Sequence, residues 1–184
     1  MYGDTYLHGF PKGSFIQENS TTVLSISQIS ETLFILTIPF FLKRFGIKNV
    51  MLFAMAAWVL RYGFFALGDS SFGWVLIILS NIVYGMAFDF FNISGSMFIE
   101  TNTDHSIRSS AQGLFMMMTN GFGAYFGTVA SSWVIDTYFI LPDGQTNWSG
   151  AWTVFAAYSL VVTILFLILF RHKHNPAELS EISH

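Results

Sequence analysis

Ser25–Leu42 reads "SISQISETLFILTIPFFL", an apolar run with an amide, Gln28, and a carboxylate, Glu31, in its first half. With the residues just before it, the run is long enough to cross a hydrocarbon core of about 30 Å at about 1.5 Å per residue. An ionised carboxylate facing lipid costs at least about 2.5 kcal/mol, and intramembrane acids face a cavity or a partner instead. This segment therefore predicts both a membrane helix and a watery or partnered surface along one side of it.

The rest of the chain agrees. Hydrophobic residues make up 53% of the 184, only 10% are charged, and five apolar segments recur at even spacing. They are Ser20–Leu42, Val50–Leu67, Phe72–Ile99, Ile107–Ile135 and Ala151–Phe170, each long enough to span. The connectors "KRFGIKN", "GDSS", "ETNTDHS" and "DTYFILPDGQTNWSG" carry the charges and helix breakers and read as loops, and Arg171–His184 reads as a polar tail. The expected fold is an all-α, polytopic membrane helix bundle of five transmembrane helices. The expected division is an outer loop at 1–19, the five-helix body at 20–175 and a cytoplasmic tail at 176–184. The start, "MYGDTYLHGFPKGSF", lacks a basic stretch followed by an apolar run, so it reads as a loop and not as a signal peptide or a span. Orientation follows from the cations: Lys43, Arg44, Lys48, Arg108, Arg171 and Lys173, six of the eight, fall in alternate connectors that should face the cytoplasm. The N-terminus is then outside and the C-terminus inside.

Polarity separates the spans. The second, "VMLFAMAAWVLRYGFFAL", and the fifth, "AWTVFAAYSLVVTILFLILF", are nearly all apolar and are expected to face lipid, with Arg61 snorkelling to the interface in preference to entering a buried pair. In the first span Ser25, Gln28, Glu31 and Thr32 lie within roughly 120° of one another on the helical wheel, and in the third Asn81, Tyr84, Gly85, Phe88, Asp89, Asn92 and Ser96 lie within roughly 140°. Two polar stripes predict a shared polar interior. Glu31 and Asp89 are its functional candidates, the alternative being hydrogen-bonded structural glue between helices. In the fourth span Gly123, Gly127 and Ser131 recur every four residues, the spacing that lets helix backbones approach, so packing is their expected role. Met116–Met118 read as core filling, and Pro39 as a place where the first helix could kink.

Several function classes are excluded. With no cysteine there is no disulfide, thiolate nucleophile or cysteine metal site. His8, His105, His172, His174 and His184 all fall in expected loops or the tail, away from the intramembrane acids. No nucleophile elbow, H-E-x-x-H or phosphate loop occurs. The chain is not expected to be an enzyme, nor to need a metal or cofactor, nor to bind nucleic acid.

The string "LKRFGIKNVM" resembles the cytoplasmic loop signature in the second half of major facilitator transporters. The longer strings "SISQISETLFILTIPFFLKRFGIKNV", "VYGMAFDFFNISGS" and "SAQGLFMMMTNGFG" are similar to the nucleoside:proton symporters of that superfamily, the bacterial nucleoside permeases. The resemblance covers essentially the whole chain and implies helices eight to twelve of a twelve-helix carrier, with the first seven helices as the missing partner. It implies a bacterial inner-membrane location and transport of purine and pyrimidine nucleosides coupled to proton symport. It further implies that Gln28 and Glu31 contact sugar or base, that Tyr84 and Phe88 line the same pocket, and that Asp89 is a second proton-linked acid. Taking a carboxyl group out of water favours its neutral form, so proton uptake at Glu31 from the outer face is the expected coupling event. The other readings are a carrier of another polar solute, such as a sugar, and a membrane assembly subunit without transport activity.

Overall fold

The computed structural model describes residues 2–68 and 73–172. Most of the "GDSS" connector, and the tail with Lys173, His174 and His184, lie outside the described residues. Among the described residues the fold is helical apart from one isolated bridge between Ile140 and Thr146. In chain order the helices are α1 (Tyr2–His8), α2 (Phe15–Glu18), α3 (Ser20–Leu67) and α4 (Trp74–Asn102). Then come α5 (Arg108–Met116), a π-helical stretch (Met117–Gly123), α6 (Ala124–Tyr138) and α7 (Trp148–Leu169). By length and composition three of these, α3, α4 and α7, could cross a membrane.

α3 is two helices folded back on each other. Its 48 residues are broken only at Gly46, where φ is 77° and ψ 165°. That backbone region is essentially closed to side-chain-bearing residues, so the reversal needs glycine. The two arms then run side by side: Ile38 and Leu42 pack with Ile47, Val50, Met51 and Ala54 near the turn, and Val23 packs with Phe65 and Ala66 at the far end. The expected loop Lys43–Asn49 is thus compressed to a single non-helical residue. Pro39, where a kink was expected, leaves the helix continuous; the break falls seven residues on.

The N-terminal segment also departs from expectation. Where a loop was expected, α1 and α2 form, and they bury Tyr6, Leu7 and Ile16 in one cluster with Val23, Phe65, Ile77 and Trp152. The Tyr6 hydroxyl reaches the carbonyls of Phe65 (3.0 Å) and Gly68 (3.1 Å), satisfying the acceptors left open at the end of α3. Short amphipathic turns gain from closing a bundle end even where no span-length run announces them.

α3 packs chiefly against α4 and α7. Its second arm is less peripheral than an apolar sequence suggests, because Val50, Ala54 and Ala57 are fully buried. α7 fits the expectation better: beyond Ala151 and Trp152 no residue in it is buried. The long helical run from Arg108 to Tyr138 is held at its start, where Gln112 Nε2 donates to the Ser96 carbonyl (2.8 Å) and Arg108 pairs with Glu100 (2.7 Å). Beyond that it is largely exposed, Met116, Met117 and Met118 included, so the methionines do not fill a core of this chain.

Candidate functional site

The site begins at the crossing of α3 and α4. Gly85 is buried, and a Cβ there would stand 2.5 Å from the Ser30 carbonyl carbon and the Glu31 amide nitrogen. The two backbones therefore touch, and the Ser30 hydroxyl crosses the seam to the Ile82 carbonyl. This contact sets the Glu31 backbone directly against α4, beside Tyr84 and within one turn of Phe88.

Local hydrogen bonding then sorts the polar stripe of α3. Ser25 turns its hydroxyl back to the Thr21 carbonyl (2.8 Å), and Thr32 turns its own to Gln28 (3.0 Å). Such back-bonding satisfies short hydroxyls within their own helix. The longer side chains of Gln28 and Glu31 remain, and both line a cavity of about 310 Å³ with Ser27, Leu24, Tyr84, Arg61, Gly3 and Asp4. That volume lies within the range of about 300–1,000 Å³ common to small-molecule sites. Phe88 stands beside the cavity, its ring stacked on Tyr84 at 6.2 Å and 27°, and it is 39% exposed.

The stripe of α4 divides in two. Asn81 and Gly85 are buried in the seam, Asn81 donating to the Ile77 carbonyl (2.9 Å). Asn92 donates to the Phe88 carbonyl (2.9 Å). Asp89 does not line the cavity with Gln28 and Glu31. One of its carboxylate oxygens, Oδ2, is buried without a hydrogen-bond partner among the described residues, as are Asn81 Oδ1 and Asn92 Oδ1 of the same helix.

Arg61 overturns its expectation. It does not snorkel: Nη1 donates to the Ser80 carbonyl (3.2 Å), and the guanidinium stands 4.1 Å from the centroid of the Tyr84 ring. Arg61, Asp4 and Gly3 were missed as site residues. For Arg61 the available signal was a lone cation within an apolar span; for Asp4 and Gly3, in an apparent loop, there was none.

Gly123 and Gly127 have no close neighbour from another helix among the described residues. A Cβ on Gly127 would meet nothing within 4 Å, and one on Gly123 only its own helix at Met118. Gly127 and Ser131 instead line a larger cavity, about 650 Å³, facing the aromatic residues Trp58, Tyr62, Trp152 and Tyr158. A close helix approach does occur at Gly85.

The family model described as "Nucleoside H+ symporter" matches residues 1–175. The chain is 52% identical over 192 residues to the nucleoside permease NupG of Escherichia coli (strain K12), covering 100% of this chain and 46% of that one. It is 50% identical over 185 residues to the xanthosine permease of the same organism, covering 97% and 44%. The crystal structure of the nucleoside transporter NupG superposes with a TM-score of 0.86 at 53% identity, over 94% of this chain and 44% of that one. The chain therefore spans less than half the length of the relatives that it matches.

Proposed function

The chain belongs to the nucleoside H+ symporter family, and from that premise we propose that it forms the C-terminal part of a proton-coupled carrier of purine and pyrimidine nucleosides. In this reading five spans cross the bacterial inner membrane: the two arms of α3, then α4, the Arg108–Tyr138 run and α7. The N-terminus lies outside and the C-terminus in the cytoplasm, with the cation-bearing turn at Lys43–Lys48 also inside. The partners are the nucleoside, protons, the bilayer and the seven further helices that the family resemblance implies.

One observation carries the reading: Gln28 and Glu31 of α3 share a single cavity with Tyr84 of α4, and Phe88 stacks on Tyr84 beside it. An amide and a carboxylate one helical turn apart supply a donor and acceptors for ribose hydroxyls. A ring beside them offers a base a stacking face, worth about 1–3 kcal/mol and tolerant of base identity. Because the ribose-facing groups would be left unpaired by an analogue lacking a hydroxyl, the site should discriminate against it. Transporter sites tend to lie near the bilayer midplane between repeated halves, which rock about the bound solute. We assign Glu31 as the main proton-coupling group and Asp89 as a second. Joint occupation by substrate and proton then favours the rocking step.

The test is uptake of labelled uridine, at acidic and at neutral outer pH, in cells without nucleoside carriers of their own. The chain is expressed alone and joined to the first seven helices of a nucleoside permease. Uptake by the joined form, faster at acidic pH, is the expected result. No uptake by either form, with both inserted in the membrane, would return the chain to a different solute or an assembly role.

A further inference from the structure

Arg61 is a cation in an otherwise apolar stretch, and the structure surrounds it with groups that have no need of a cation for packing alone. It is cross-bonded to α4: Nη1 donates to the Ser80 carbonyl (3.2 Å), while the Ser80 hydroxyl donates to the carbonyl of Arg61 (3.0 Å). The pair of bonds holds the second arm of α3 and α4 at one register. From this anchor the guanidinium lies 4.1 Å from the Tyr84 ring centroid and 5.0 Å from that of Phe65. Tyr84 is also braced edge-on by Trp58 at 5.6 Å and stacks on Phe88.

A planar, permanently charged guanidinium is attracted to the face of an aromatic ring, more strongly when water is excluded. A charge taken into a membrane interior is costly, and such residues are found where they serve a site. Arg61 also lines both cavities, the one with Gln28 and Glu31 and the one against α6 and α7. We propose that Arg61 is a positioning residue of the substrate site: held by Ser80, it pins the Tyr84 ring, and through it Phe88, in the orientation that receives the flat face of a base. This rests on the nucleoside reading above. Arg61 is not assigned a contact with the substrate; it acts through Tyr84.

The experiment measures KM and Vmax for uridine uptake in the joined carrier, unsubstituted and as Arg61→Met, Arg61→Lys, Tyr84→Leu and the double variant Arg61→Met with Tyr84→Leu, with membrane levels measured for each. Loss of a cation–ring contact should raise KM about five- to tenfold in Arg61→Met with Vmax per inserted molecule little changed. Lysine keeps the charge without the planar fork, so Arg61→Lys should show a smaller rise of about two- to threefold. In the Tyr84→Leu background, Arg61→Met should add nothing further, since residues acting in series are not additive. A residue that only stabilises the bundle would lower the amount inserted and leave KM alone. An unchanged KM in Arg61→Met, or a full additional effect in the double variant, would overturn the proposal. If Arg61→Met fails to insert, Arg61→Lys decides, an unchanged KM again counting against it. No uptake by the unsubstituted carrier would defeat the nucleoside reading and the positioning role together, a result distinct from one confined to the variants.

Discussion

Two stretches of this chain carry glycine where a neighbouring helix could approach, and they end in opposite situations. At the α3–α4 crossing, Gly85 lets backbone meet backbone, with 2.5 Å left for any Cβ. Along α6, Gly127 faces open space. The first contact sits at the substrate-binding candidates and the second beside a cavity walled by aromatic residues. Small-residue spacing states only that a close approach is sterically allowed; the partner's own shape and polarity decide whether it happens. At Gly85 the partner is Ser30, whose hydroxyl finds the Ile82 carbonyl across the gap.

The strongest way to break this contrast is at the acid which the tight crossing positions. Glu31→Gln should abolish concentrative uptake and flatten its dependence on outer pH, read by uridine accumulation in the joined carrier; unchanged accumulation would remove Glu31 from the coupling role. Next comes the crossing itself. Gly85→Ala inserts a methyl group into the Ser30–Glu31 backbone and should cost about 1–3 kcal/mol, as overpacking does, seen as a lower unfolding temperature in detergent. Gly46→Ala should cost a similar amount, about 1–3 kcal/mol, because its backbone conformation is strained for any residue with a side chain. The same melting experiment checks it, and a neutral result would mean that the two arms of α3 do not reverse there. Phe88→Ala should remove base stacking of about 1–3 kcal/mol, raising KM about tenfold or more for purine and pyrimidine nucleosides alike. An effect on one base class alone would place Phe88 in recognition and not in stacking. The smallest effect is expected on α6, where Gly127→Ala should leave the stability of this chain within about 0.5 kcal/mol. A loss as large as that of Gly85→Ala would show that a helix lies against α6.

Much of the site was legible because intramembrane polarity is rare and therefore informative. Gln28, Glu31 and Tyr84 could be placed on the polar stripes of their own helices by helical period, and the structure brings them to one cavity. Phe88 follows through its stack on Tyr84. Asp89, read as part of the same stripe, does not line that cavity, because it and Tyr84 stand at opposite edges of a stripe some 140° wide. Ser25 and Thr32 shared the other stripe, but their short hydroxyls found carbonyls one turn back.

By itself the sequence determined that the chain is helical and apolar, which residues carry polarity into the bilayer-length segments, and the family resemblance. These depend on composition and on a period of about 3.6 residues, properties local to each segment. The tertiary structure decided what depends on distances between segments. It placed the reversal at Gly46 and not at Pro39, folded α1 and α2 over the bundle end, chose Gly85 over Gly127 for the close approach, and drew Arg61 from a supposed interface onto Tyr84. Each was settled by which surfaces could satisfy one another's backbone groups, charges and volume once they met, and that information lies in pairs of segments and in neither one alone.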